Sequence, residues 1–80
     1  MTVDIDDMHR ALAVQIRVEL AGLGMSQKEL AARVGITEGA LSRYMKGHRE
    51  MPMTVYLEVS NVLGVEPDYL MRSAQARLRK

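Results

Sequence analysis

Ser42, Arg43 and Lys46 stand at i, i+1 and i+4, a spacing that gathers them on one side of a helix. Thr37, Glu38 and Gly39 lie just upstream, and His48 and Arg49 follow, with no acid between Ser42 and Arg49. Ser, Arg and Lys donate hydrogen bonds to phosphate oxygens and to base edges, so the chemistry on offer is recognition of a polyanion. Gln27 and Lys28 add a second pair of donors. Bond-making chemistry has no comparable set. There is no phosphate-cradling glycine loop, no nucleophile elbow and no HExxH helix, so no enzyme and no cofactor is expected. His9 and His48 are 39 residues apart in a chain without cysteine, so no metal site is expected either.

These side chains need a scaffold, and the apolar spacing supplies helices. Met8, Leu12, Ile16, Leu20 and Leu23 recur at i+4 and i+3, one stripe on a helix from about Asp6 to Gly22. Ser26-Gln27-Lys28-Glu29 has the form of a capping box, and Leu30, Ala31 and Val34 form the inner face of the short helix it opens. Gly35 ends that helix, and Thr37 is the next N-cap, opening a helix to Lys46. At 100° per residue, Ala40, Leu41, Tyr44 and Met45 share one side of helix 37–46. Glu38, Gly39, Ser42, Arg43 and Lys46 share the other. Pro52 marks the start of a fourth helix carrying Val55, Leu57, Val59, Val62 and Leu63, closed by Gly64. Pro67 opens a fifth with Tyr69, Leu70 and Met71. No sustained period-2 alternation and no hairpin turn signal appears. The expected architecture is all-α, a compact bundle of about five short helices.

Eighty residues suffice for one domain, 1–80, whose small core buries only about 60% of the unfolded surface. They leave no room for a second, effector-sensing domain, so regulation is expected to come from concentration, dimerisation or a partner. Eleven Lys and Arg against ten Asp and Glu give a formal net charge of +1, which argues neither for nor against a nucleic-acid partner. The distribution is more telling. Asp4, Asp6 and Asp7 open the chain, whereas Arg72, Arg77, Arg79 and Lys80 lie near its end. No apolar run approaches the roughly 18 residues of a membrane span, and the acidic start is unlike a signal peptide. The seven methionines suit the gap-filling of a core without Phe or Trp better than a promiscuous binding surface.

Residues 26–70, SQKELAARVGITEGALSRYMKG followed by MTVYLEVSNVLGVEPDYL, resemble the helix-turn-helix domain of the lambda-repressor-like, Cro/XRE-type transcriptional regulators. The likeness rests on Ser-Gln-x-x-Leu-Ala, the turn glycine Gly35, the Ser-Arg-Tyr of helix 37–46, and the closing Leu-Gly-Val. It implies a motif at 27–46, a cytoplasmic, nucleoid-associated protein, and double-stranded DNA as partner, read as a palindromic operator by a homodimer. It also implies that Gln27, Thr37, Glu38, Gly39, Ser42, Arg43 and Lys46 contact DNA, and on that reading Lys28, Arg49 and either Arg10 or Arg17 are expected as further phosphate contacts. Tyr69, Leu70, Met71 and Leu78 are the candidate dimer surface.

Glu38 departs from the family pattern, which often has Gln or Arg there, and Gly39 is an unusual residue for a helix. An acid beside phosphates is unfavourable unless it accepts a hydrogen bond from a base such as cytosine N4, and a mid-helix Gly costs up to about 1 kcal/mol relative to Ala. Simpler roles exist for several residues: Thr37 and Glu38 as cap and first-turn acid, Arg43 and Lys46 as solvated charges. The basic segment 73–80 is open between a phosphate-binding arm, a helix extension for dimerisation and disorder. The leading expectation is a phage or plasmid-type repressor. The rivals are an antitoxin bound to a protein partner and a phage accessory factor for excision or anti-repression.

Overall fold

The computed structural model describes residues 5–79, so Asp4 and Lys80 of the charged ends lie outside the described residues. Five helices follow one another: α1 (Ile5–Leu23), α2 (Gln27–Val34), α3 (Glu38–Met45), α4 (Met53–Leu63) and α5 (Pro67–Ala76), with no strand among the described residues. The all-α reading therefore holds, with boundaries moved by a residue or two. Their shared core comprises Ala13, Ile16 and Leu20 of α1, Leu30 and Ala31 of α2, Leu41 and Met45 of α3, Tyr56, Val59 and Leu63 of α4, and Leu70 of α5.

The first helix buries a different face from the one its large apolar residues outline. Ile16 and Leu20 are buried, but Leu23 is 53% exposed, while Ala11, Ala13 and Gln15 are buried. The reason is α5, whose packing against α1 is the most extensive between any two helices and widens the covered side toward Gln15. Small side chains at 11 and 13 suit this close second neighbour. Gln15 is not left unsatisfied: its amide donates to Glu19 Oε2 at 2.9 Å, and its carbonyl oxygen accepts from Arg77 Nε at 2.9 Å. The α1 helix also runs through Gly22, so the chain turns at Gly24 instead.

In α4 the buried aromatic is Tyr56, and Leu57 is exposed. The Tyr56 hydroxyl donates to the Pro67 carbonyl, tying α4 to the start of α5, and the buried Ser60 hydroxyl donates to the Tyr56 carbonyl at 3.1 Å. Leu70 is fully buried in the shared core, which removes it from the candidate dimer surface. A residue already covered by its own chain has no area left to offer a second copy. Tyr69 is 44% exposed, and Met71 and Leu78 are half-buried. Of the methionines described, Met45 is buried, Met25, Met51 and Met71 pack against the core, and Met53 stands out in solvent.

Candidate nucleic-acid interface

Local hydrogen bonding sets the angle between α2 and α3. Ser26 caps α2: its hydroxyl oxygen accepts from the Glu29 N–H at 3.0 Å, and Glu29 Oε1 accepts from the Ser26 N–H at 3.4 Å. This closes the capping box. At the other end Gly35 takes φ +88°, and the N–H groups of Gly35 and Ile36 both reach the Ala31 carbonyl, at 2.9 and 3.0 Å. A left-handed residue is needed there to reverse the chain within two residues. Thr37 then caps α3, its hydroxyl oxygen accepting from the Ala40 N–H at 3.0 Å. Leu41 and Met45 hold the inner side of α3 in the core, with Ala40 and Tyr44 half-buried beside them.

The outer side of α3 is the one the spacing marks out. Glu38, Gly39, Arg43 and Lys46 are exposed and Ser42 is half-buried, while Thr37 and Lys46 are the caps that bound the helix. Gln27, first residue of α2, is half-buried, and Lys28 beside it is exposed. Arg49 lies exposed in the loop after α3, its N–H directed to the Arg43 carbonyl at 3.4 Å. Gly47 shapes that loop with φ +75°, and a Cβ there would stand 3.2 Å from His9 Nδ1. Both features favour glycine at 47, where the loop after α3 passes close against His9. The place of His9 against the end of α3 depends on tertiary packing, for which the sequence carries no local signal.

Charge pairing among the described residues is confined to parts of α1 and α5, and Arg17, Arg33 and Arg79 are as unpaired as the cations around α3. Arg10 bonds Asp7 at 3.0 Å, Arg72 bonds Asp68 at 3.4 Å, and Arg77 is held by Gln15. By contrast, the side chains of Lys28, Arg43, Lys46 and Arg49 make no ion pair or hydrogen bond among the described residues. Glu38 is likewise unpaired, so nothing within the described chain neutralises the polar side of α3. Of the two additional arginines, Arg10 is engaged by a carboxylate and Arg17 is exposed on α1. No group of three or more His, Asp or Glu side chains among the described residues is arranged to hold a metal ion.

Two capped helices joined through a left-handed glycine, the second with one side in the core and the other polar and bare, define a helix-turn-helix domain. A family model described as helix-turn-helix matches residues 16–70, and the chain belongs to that family, of the Cro/XRE type. It is 33% identical over 54 residues to the SPbeta prophage-derived HTH-type transcriptional regulator YonR of Bacillus subtilis (strain 168), covering 68% of this chain and 50% of that protein. It is 35% identical over 48 residues to the HTH-type transcriptional regulator YqaE of the same organism, covering 60% of this chain and 41% of that one. The chain thus spans half or less of the length of these relatives. Two solved structures of the clp gene regulator ClgR from Corynebacterium glutamicum share the fold. One has a TM-score of 0.81 at 24% identity, covering 89% of this chain and 76% of that one. The other has a TM-score of 0.80 at 24% identity, covering 90% and 94%. No helix among the described residues is long and apolar enough to cross a membrane.

Proposed function

We propose that the chain reads double-stranded DNA as the operator-binding part of a repressor, with α3 lying in the major groove. The observation that carries this reading is the unpaired polar side of α3, braced from behind by Leu41 and Met45. In this arrangement Ser42 and Arg43 face base edges, with Arg43 suited to guanine O6 and N7. Thr37, Glu38, Gly39 and Lys46 line the same contact, while Gln27, Lys28 and Arg49 hold phosphates on either side. A single domain of this size covers one half-site. Two copies on a palindrome, spaced by about 34–36 Å, would supply the rest of the affinity. Tyr69, Met71 and Leu78 remain the surface for that pairing. The prophage origin in the name of one relative favours a phage-type repressor.

Selection of bound sequences from random duplexes, followed by titration of the winning site at several salt concentrations, tests the reading. Arg43→Ala should weaken binding to that site by about 1–3 kcal/mol and relax the preference at one position. Lys28→Ala should weaken all sequences about equally and lower the salt slope by about 1. Arg43→Ala with wild-type affinity and preference would remove α3 as the reading helix.

A further inference from the structure

Gly39 is the second residue of α3, in its first turn, and is exposed on the polar side with Arg43 one turn further along the same face. Three reasons a fold ordinarily has for glycine are absent there. Its φ is not positive, unlike that of Gly24, Gly35, Gly47 and Gly64. A Cβ would meet only Arg43 Nη1, at 3.7 Å, an ordinary van der Waals distance to the movable end of a side chain. No helix packs over it, since the position is exposed. Alanine would fit the chain and strengthen the helix. The absent side chain therefore leaves a bare strip of backbone in the first turn of an otherwise occupied face, with an Arg43 guanidinium nitrogen 3.7 Å from where a Cβ would stand.

We infer that Gly39 is a specificity-determining position, the point where the α3 backbone comes directly against base edges on the floor of the major groove, with the Arg43 guanidinium held alongside. The inference rests on the DNA-reading role proposed above and adds to it the residue that sets how deeply α3 seats. A helix with a side chain at this first-turn position stands off by the width of that side chain, and Arg43, one turn on, then reaches the base edges at a longer distance. Every direct contact on this face depends on that depth, so filling the gap alters which sequence is preferred as well as how tightly it is held. A glycine contacting only the sugar-phosphate backbone would act differently, because phosphate contacts carry no sequence information directly.

Gly22 provides an internal control. It too is helical, exposed, without positive φ and with nothing within 4 Å of a built Cβ, but it lies near the end of α1. Full-length Gly39→Ala and Gly22→Ala should both melt several degrees above wild type, showing that neither methyl harms the fold. Gly22→Ala should bind the selected duplex as wild type does. Gly39→Ala should bind it at least about tenfold more weakly, and reselection from random duplexes should return a different preference at one or two adjacent positions. Wild-type affinity and preference in Gly39→Ala would overturn the inference. Equal weakening on every duplex with the ranking of sequences intact would overturn it as well, placing the glycine against the DNA backbone. If Arg43→Ala loses the site and Gly39→Ala does not, the DNA-reading role stands and only the inference falls. A wild-type chain with no preference among duplexes removes both.

Discussion

Arg43 and Tyr56 show at the scale of single residues how differently the sequence exposes a candidate site and the core. Arg43 is legible because helical arithmetic alone puts it opposite Leu41 and Met45, and no partner among the described residues reclaims it. Tyr56 is not, because in VYLEV the aromatic is one of several apolar residues. Which of them turns inward depends on where α5 packs. Once inward, its hydroxyl finds the Pro67 carbonyl, and burial raises the phenol pKa above its ordinary value of about 10. A raised acid pKa means that the folded state holds a proton the unfolded chain releases. The contribution to stability is therefore whole below pH about 10 and is lost as pH rises through the folded value. Tyr56→Phe has no such proton, so the stability difference between wild type and Tyr56→Phe should shrink steadily above pH about 10. Urea melts of the two proteins between pH 8 and 11 measure it. A difference constant across that range would mean that the phenol ionises equally in both states.

Elements were most readable where their boundaries are made by local hydrogen bonds. The capping box at Ser26, the left-handed Gly35 and the cap at Thr37 involve residues within five positions of one another, so the α2–α3 unit is nearly all present in a short stretch of sequence. The extent of α1 was harder, because its buried side is set by α5, more than fifty residues away. Gln15, a polar residue, is buried there, while Leu23 of the expected stripe is not. The local boundaries also predict stability effects of distinct origin. Thr37→Ala strips the acceptor from the Ala40 N–H and should cost about 1 kcal/mol. Gly35→Ala should cost about 1–2 kcal/mol although a Cβ there meets nothing within 4 Å, because the cost lies in the backbone at φ +88°. Thermal melts of both variants test this, and a stabilised Gly35→Ala would show that the turn adapts away from the left-handed conformation. The Thr37 change should also weaken DNA binding by loosening the first turn of α3, where Glu38 and Gly39 sit.

For the molecule as a whole, the open matter is what the basic end of the chain does, since Arg77 and Arg79 carry enough charge to act as a phosphate arm. Composition favours no one role, as a run of arginines near a chain end suits an arm, a helix extension or disorder equally. The packing is more selective. The helix α5 ends at Ala76, and a turn continues it with hydrogen bonds from the N–H groups of Leu78 to Gln75 and of Arg79 to Ala76, at 3.0 and 3.3 Å. Arg77 turns back onto α1 and donates to Gln15, which in turn donates to Glu19, so a buried amide is satisfied at both ends by charged groups. An arginine engaged in this way acts as a latch between the first and last helices. Arg77→Ala should leave the Gln15 carbonyl oxygen without its donor and cost about 1 kcal/mol, within the 0.5–1.5 kcal/mol range of one hydrogen bond. It should leave the salt slope of DNA binding unchanged, whereas Lys28→Ala lowers that slope by about 1. Measured together, the melt and the salt titration separate the two roles of the same charge. A latch moves the first and spares the second, and an arm does the reverse. Should Arg77→Ala lower the salt slope with no loss of stability, the contact to Gln15 yields to DNA and the end of the chain is part of the binding surface.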